Sequence, residues 1–199
     1  MGTSGLRFAD VYNEFHEKVN RYLGRMVGKN DAEDLTQEVF LKINKGLPDF
    51  KGKSSLSTWV YRIATNAALD RMKSRSYREA TETVALEEMS HEPENRGAGE
   101  ESLSAEREAI RNEMTDCIQE FVAKLPIDYR VAILLSEIKE LRNQQIAAIL
   151  GISLDAVKIR LHRARVRLKA EFEAGCDFYH DEEGTLACDR KKEEPGEVK

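Results

Sequence analysis

The chain has 199 residues, 34% of them charged, and a formal net charge of −5. This length allows one large or two small domains, and a charged composition with few glycines and prolines is typical of a soluble helical protein. No apolar run approaches membrane-spanning length, no secretion signal opens the chain, and three cysteines do not suggest a secreted disulfide framework, so we expect a cytoplasmic protein.

Two helical patterns open the chain. Apolar and aromatic residues recur at helical spacing from Leu6 to Val27, which predicts a helix with an aromatic core stripe. A second helix is predicted after a break at residues 28–30, with Asn30 or Asp31 as its cap. Its outer side carries acidic residues and one leucine, Leu41. Such a side is either solvated or a docking surface for a basic partner helix, and the pattern alone favours the solvated interpretation.

A polar loop at residues 48–57 precedes a third helix, predicted over residues 58–78. Trp59, Arg62 and Asn66 fall on one face of this helix, close to the lysines and serines of the loop. An aromatic ring surrounded by cations and amides is typical of surfaces that bind single-stranded nucleic acid. The alternative is that Trp59 belongs to the core, and the pattern favours neither interpretation.

The second half of the chain is separated from the first by a segment rich in Glu, Ser, Gly and Pro. Residues 81–106 contain eight Glu against Arg96, which predicts a flexible acidic linker. Helices are then predicted over residues 105–124 and 127–141. Cys117 lies in the apolar stripe of the first of them, so we interpret it as a small buried hydrophobic residue.

Residues 143–168 predict a helix-turn-helix. Gly151 is suited to end the first helix in the left-handed conformation, and Ser153 is suited to cap the second. Residues 143–170 contain six basic residues against Asp155, so the negative net charge hides a basic helix. An ordinary helical hairpin is the alternative, but the short turn and the charge density favour DNA binding.

In the acidic tail, Cys176 and Cys188 flank a predicted turn at residues 181–184. Apolar and aromatic residues on either side of this turn, namely Phe178, Tyr179 and Leu186, predict a small β-hairpin. Three interpretations stay open: an inert or partner-binding tail, a metal site such as zinc with Cys176, His180 and Cys188 as ligands, and a redox switch between the two cysteines. A closed zinc site needs four ligands, and the spacing is not that of a standard zinc finger.

Two blocks of sequence resemble the extracytoplasmic-function (ECF) group of sigma-70 factors of bacterial RNA polymerase. The first is DAEDLTQEVFLKI followed by FKGKSSLSTWVYRIATNAALDRMKSR, which is similar to sigma region 2. The second is LPIDYRVAILLSEIKELRNQQIAAILGISLDAVKIRLHRARVRL, which is similar to sigma region 4. The resemblance implies an all-α fold of two small helical domains. The predicted boundaries are residues 6–80 for region 2, 81–104 for the linker, 105–170 for region 4 and 171–199 for the tail.

The resemblance also implies roles for three sets of residues. The first set, named here the acidic ridge, docks on core RNA polymerase and consists of Asp31, Asp34, Gln37, Glu38 and Leu41. The second set recognises and melts the minus-ten element and consists of Phe50, Lys51, Ser54, Ser55, Trp59, Arg62, Asn66, Arg71 and Arg75. The third set contacts the minus-thirty-five element and consists of Asp155, Ala156, Lys158, Ile159, Arg160, His162, Arg163, Arg165 and Arg167.

The predicted function is therefore that of a sigma factor without catalytic residues or a required cofactor. Its expected partners are core polymerase, promoter DNA and an anti-sigma factor, with no insertion into a membrane. The family commonly has Gly-Thr where this chain has Asp155-Ala156, which affects the expected promoter sequence rather than the role. The alternatives are a stand-alone helix-turn-helix regulator and a metal- or redox-sensing regulator that acts through the tail.

Overall fold

The computed structural model describes residues 6–74, 117–138, 141–180 and 186–191. Six helices and two strands have defined bounds in these ranges. They are α1 (Phe8–Val27), α2 (Lys29–Gly46), α3 (Leu56–Lys73), α4 (Ile127–Ser136), α5 (Asn143–Leu150), α6 (Leu154–Gly175), β1 (Cys176–His180) and β2 (Leu186–Arg190). Residues 117–124 are also helical, and a short 3-10 turn (Leu47–Asp49) follows α2. The predicted all-α fold with a C-terminal hairpin is confirmed.

The described residues form two compact units. The first contains residues 6–74 and 126–163, apart from 139–140, and the second contains residues 117–125 and 164–191, apart from 181–185. The predicted linker lies outside the described residues, as do Arg75 and the predicted turn at residues 181–184. Within residues 6–74, 117–138, 141–180 and 186–191, no helix combines the length and the apolar character that a membrane span requires.

The core of the first unit lies between α1, α2 and α3, which pack against one another. The aromatic stripe of α1 contributes Phe15 and Tyr22 to this core, as predicted, while Tyr12 remains exposed at its edge. Tyr22 packs edge-on against Tyr61 of α3 and hydrogen-bonds to the buried hydroxyl of Thr65 at 2.9 Å. Burial raises the pKa of the Tyr22 hydroxyl well above its usual value, so it stays protonated and able to donate.

Several helix boundaries differ from the sequence predictions because local caps decide them. Helix α2 begins at Lys29, and Gly28 precedes it with a φ of 93°, so the predicted caps at Asn30 and Asp31 were wrong. Helix α3 begins at Leu56 because the Ser55 hydroxyl accepts the backbone N–H of Thr58 at 3.2 Å. Helix α4 ends at Ser136, earlier than predicted.

The second unit joins the C-terminal half of α6 to an antiparallel hairpin. Strands β1 and β2 pair with Cys176 opposite Arg190, Phe178 opposite Cys188 and His180 opposite Leu186. The backbone N–H of Lys191 donates to the carbonyl of Gly175 at 3.0 Å, which fixes the end of β2 to the end of α6. The hairpin therefore continues directly from the helix without an intervening loop.

Candidate nucleic-acid interface

The first candidate surface is the segment from Phe50 to Asn66, where a loop leads into α3. Lys51, Ser54 and Asn66 are exposed, as a nucleic-acid contact requires, while Ser55 also serves as the helix cap. The loop follows the 3-10 turn at the end of α2, so the bundle holds both of its ends. The chain thus presents polar and cationic side chains beside a rigid helix.

Two aromatic rings form the centre of this surface. The rings of Phe50 and Trp59 lie 5.1 Å apart at an angle of 44°, and both side chains are half-buried. Gly46 makes room for the indole, because a Cβ atom at residue 46 would lie 3.1 Å from Cζ2 of Trp59. One part of the Trp59 ring therefore packs on α2, and the rest remains accessible. The ring is neither fully buried, as a core residue would be, nor fully exposed as a surface for nucleic acid.

A cavity of about 280 Å³ lies next to this aromatic pair. It is bordered by apolar residues and one amide, namely Leu6, Phe8, Asn44, Leu47, Pro48 and Phe50. Phe50 is therefore shared between this cavity and the aromatic pair.

Helix α5 of the helix-turn-helix lies against this same surface within the first unit. Gln145 donates from Nε2 to the Ser55 hydroxyl at 3.2 Å, and Arg62 donates to the backbone carbonyl of Ala148. Two residues predicted for the minus-ten contact are therefore engaged by α5.

Arg71, predicted for the minus-ten contact, is engaged by two carboxylates of α2. Its guanidinium pairs with Asp31 at 3.1 Å and with Glu38 at 3.0 Å, and its side chain is half-buried. In this arrangement Arg71 neutralises part of the acidic ridge, whereas Trp59 and Arg62 lie elsewhere on α3.

The acidic ridge runs along one face of α2. Asp34, Gln37 and Glu38 are exposed, and Leu41 is 60% exposed at the end of the same face. A large apolar side chain so exposed among acidic residues has no role in the bundle core. The arrangement suits a partner that offers both cations and apolar contacts.

The helix-turn-helix has the local geometry that the sequence predicts. Gly151 adopts the left-handed conformation, with φ 66° and ψ 32°, and ends α5. Ser153 caps α6, because its hydroxyl accepts the backbone N–H of Ala156 at 3.1 Å. Val157 and Leu161 are buried, so the opposite face of α6 is presented to solvent.

The exposed face of α6 is basic with apolar residues between the charges. The described exposed residues on it include Asp155, Lys158, Ile159, His162, Arg163, Arg165, Val166 and Arg167. Ile159 is 51% exposed, and an apolar side chain in this position is suited to a thymine methyl group.

Two of the cations predicted to contact the minus-thirty-five element also have partners within the chain. Lys158 pairs with Asp155 at 3.2 Å, and both side chains are exposed, so the pair contributes little to stability. Arg160 pairs with Asp128 of α4 at 3.4 Å and is half-buried. Arg160 therefore helps to hold α6 on α4 and is less accessible than Arg163 or Arg165.

The tail residues do not come together as the sequence predicted. His180 pairs with Leu186, four residues beyond Cys176, which corresponds to about 13 Å along a strand. The side chain near both Cys176 and Cys188 is that of Cys117, and these three sulfur atoms lie within 4.8 Å of one another. The interpretation of Cys117 as an ordinary core residue missed this placement. The odd number of cysteines was the signal in the sequence, but the partner lies 59 residues from Cys176.

Two family models match separate parts of the chain. The family model described as Sigma-70 region 2 matches residues 11–78, and the one described as Sigma-70, region 4 matches residues 115–168. The ECF RNA polymerase sigma factor SigW of Bacillus subtilis is 32% identical over 82% of this chain and 88% of its own length. The ECF RNA polymerase sigma-E factor of Escherichia coli K12 is 33% identical over 76% of this chain and 78% of its own. The RNA polymerase sigma factor SigZ of Bacillus subtilis is 29% identical over 91% of this chain and 96% of its own length.

Solved structures share the fold. The sigma factor RpoE from Bartonella quintana, in complex with the anti-sigma factor NepR, superposes with a TM-score of 0.62 at 22% identity, covering 83% of this chain and 96% of that one. CnrH in complex with the cytosolic domain of CnrY superposes with a TM-score of 0.57 at 23% identity. The superposition covers 84% of this chain and 88% of that one.

Proposed function

Because this chain belongs to the ECF group of the sigma-70 family of RNA polymerase sigma factors, we propose that it directs core RNA polymerase to promoters and opens them. The chain does no covalent chemistry in this role; it positions the polymerase and the DNA. Its place of action is then the cytoplasm, where polymerase and promoter are found.

The acidic ridge is the surface that docks on the polymerase. Its carboxylates attract a basic partner surface, and Leu41 supplies an apolar contact that loses water when the partner binds. Arg71, held by Asp31 and Glu38, orients these two carboxylates instead of contacting DNA. We therefore assign Arg71 to the docking surface.

The segment from Phe50 to Asn66 captures the minus-ten element as single-stranded DNA. Unpairing and unstacking a base costs about a few kcal/mol, and stacking on an aromatic side chain returns about 1–3 kcal/mol per base. Trp59 and Phe50 offer that stacking surface, and Lys51 and Arg62 offer cations for the phosphates. DNA must displace α5 to reach Ser55 and Arg62.

Helix α6 reads the minus-thirty-five element in the major groove. The residues near its start, Asp155, Ala156, Lys158 and Ile159, are placed for base edges, while His162, Arg163, Arg165 and Arg167 contact phosphates. Asp155 at this position repels phosphate but accepts from the amino group of cytosine, so we expect a cytosine in the element.

The observation that carries this proposal is that one chain combines the Phe50–Trp59 aromatic pair with a basic helix-turn-helix. A regulator that binds only duplex DNA uses the second of these surfaces and has no use for the first. The test is transcription in vitro with purified core polymerase and a panel of promoter fragments. We expect specific transcripts that depend on this chain; duplex binding without transcripts from any fragment would favour the stand-alone regulator.

We also propose that an anti-sigma factor binds this chain. The support is that solved structures of the same fold are complexes with an anti-sigma factor and with a cytosolic domain of another protein. The candidate is the product of the neighbouring gene, co-expressed with this chain. We expect a co-purifying complex that fails to start transcription until the partner is removed; a co-purifying protein that leaves transcription unchanged would contradict the assignment.

A further inference from the structure

All three cysteines of the chain converge at one point in the second unit. Cys117 comes from the helical segment 117–124, Cys176 opens β1 and Cys188 lies in the middle of β2. The Cys117 and Cys176 sulfur atoms are 3.7 Å apart, and no pair among the three is more than 4.8 Å apart. All three are free thiols, and Cys176 is only 4% exposed.

The strand register accounts for half of this cluster. Cys176 faces Arg190 and Cys188 faces Phe178, so the two cysteines are diagonal neighbours on the same side of a two-stranded ribbon. His180 lies on that side too, but at the end next to the turn. The hairpin therefore places the thiols of Cys176 and Cys188 next to each other, while the imidazole of His180 lies at the far end of the strand.

Packing of the helical segment 117–124 against the end of α6 places the third thiol, that of Cys117, next to the other two. Phe121 is one turn after Cys117 on the same helical face, and its ring fills the space that a side chain at Gly175 would need, with a Cβ only 2.7 Å from Cζ. Phe121 also packs edge-on against Phe172 at 5.1 Å, and Glu120 forms an ion pair with Arg190. These contacts hold Cys117 beside Cys176 and Cys188 without help from an ion.

The sulfur spacing matches that of a tetrahedral thiolate site. Zinc binds thiolates at about 2.3 Å, which places two sulfurs of a tetrahedron about 3.8 Å apart. The observed 3.7 Å, with the remaining separations within 4.8 Å, requires little movement to reach this geometry. Three thiolates are soft ligands that select zinc, cadmium or cobalt over magnesium and calcium.

We propose that Cys117, Cys176 and Cys188 bind one thiophilic divalent cation, with zinc as the natural candidate, and leave a fourth position for water. Each thiol gives up its proton to solvent as its sulfur bonds to the metal, and no oxidation is involved. Because the ligands come from two segments far apart in sequence, the bound ion fastens the hairpin to the helical segment. This inference does not depend on the transcription role.

The test is a cobalt titration of the full chain, reduced and freed of metal by a chelator. We expect one cobalt ion to bind per chain and to give a thiolate-to-cobalt charge-transfer band. The visible cobalt absorption bands should have the intensity that is typical of four-coordinate cobalt. Zinc should displace the cobalt and remove all of these bands. Binding of zinc should also raise the melting temperature, since the folded chain holds the three thiols together and binds the ion more tightly than the unfolded chain does.

Single variants identify the ligands. Cys117→Ser, Cys176→Ser and Cys188→Ser should each weaken zinc binding by more than about 100-fold, exceeding the loss expected from an outer-shell change. The matched control is His180→Asn, which should bind zinc like the parent. Loss of binding in His180→Asn together with normal binding in Cys117→Ser would overturn this ligand set.

Results on the unmodified chain decide the matter even where a variant does not fold. A parent chain that shows no thiolate charge-transfer band and retains no zinc after dialysis overturns the proposal. Isolation of the parent with a disulfide between two of these cysteines, and no metal uptake after reduction, identifies a redox pair instead.

Discussion

Trp59 packs on the bundle and also keeps part of its ring accessible at the surface. Its ring rests on Gly46 of α2 and lies 5.1 Å from the ring of Phe50, so the bundle holds the indole in a fixed orientation. A preorganised ring loses little side-chain entropy when a base stacks on it, which favours capture of an unpaired base. The sequence pattern left this residue between two interpretations, and both describe part of its surface.

We expect Trp59→Ala to impair promoter opening much more than binding to closed duplex DNA. Loss of about 1–3 kcal/mol of stacking corresponds to at least about a fivefold drop in open complexes. Permanganate reactivity of unpaired thymines measures opening, and a gel-shift assay measures duplex binding. Trp59→Phe, which keeps an aromatic face, is the control and should retain most of the opening; equal losses in both assays would contradict a melting role.

At the scale of an element, the helix-turn-helix depends on one backbone conformation. Gly151 has φ 66°, and a Cβ at this position would meet nothing within 4 Å, so only the backbone opposes a side chain there. The left-handed conformation costs an ordinary L-residue about 1–2 kcal/mol, and less for asparagine. The requirement for glycine therefore comes from the local backbone, and no neighbouring residue contributes to it.

We expect Gly151→Ala to lower the free energy of unfolding by about 1 kcal/mol and Gly151→Asn to lower it by less. Urea unfolding followed by far-UV circular dichroism measures both. An alanine variant as stable as the parent would show that the turn does not need the left-handed conformation.

The exposed face of α2 is the other element with a specific prediction. Leu41 is 60% exposed, so Leu41→Ala should leave the free energy of unfolding within about 0.5 kcal/mol of the parent. The same change should weaken binding to core polymerase by about 1–2 kcal/mol, or roughly 5–30-fold, if this leucine is a contact in the interface. Fluorescence anisotropy of the labelled chain measures the binding.

The control for Leu41→Ala is Leu6→Ala, which removes another exposed leucine, two residues before α1. Leu6 is 42% exposed and lies outside the acidic ridge. If both variants bind polymerase as tightly as the parent chain does, the acidic ridge is a solvated face, which is the interpretation that the sequence pattern alone favoured.

At the scale of the whole molecule, the first unit places α5 over residues predicted to contact the minus-ten element. Gln145 donates to Ser55, and Arg62 donates to the carbonyl of Ala148, so both groups exchange these bonds when DNA binds. The cost of this exchange is small for each hydrogen bond, about 0.5–1.5 kcal/mol. We therefore expect contact with α5 to lower the affinity of the isolated chain for single-stranded DNA.

We expect Gln145→Ala to increase the affinity for a single-stranded minus-ten oligonucleotide by about 2–10-fold, because one competing hydrogen bond is removed. The chain contains one tryptophan, so quenching of Trp59 fluorescence reports binding directly. Gln144→Ala, on the same helix and exposed, is the matched control and should leave the affinity unchanged. An unchanged affinity in Gln145→Ala would show that α5 does not compete with DNA.

Sequence by itself determined the features that depend on local periodicity and on short-range chemistry. The apolar stripes of α1 and α6, the left-handed turn at Gly151 and the cap at Ser153 follow from residues a few positions apart. The two blocks of the family were recognisable for the same reason. Helix ends were less predictable, because Gly28 and Ser55 settle them through backbone geometry and a single hydrogen bond.

Tertiary structure alone decided which distant residues meet. One interpretation of the sequence made Cys176, His180 and Cys188 metal ligands because they are close along the chain, but strand register moves His180 away and helix packing brings Cys117 in. In the same way, the contacts of Arg71 with Asp31 and Glu38 join residues more than thirty positions apart. Such contacts arise from the packing of whole helices and strands, and no local pattern encodes them.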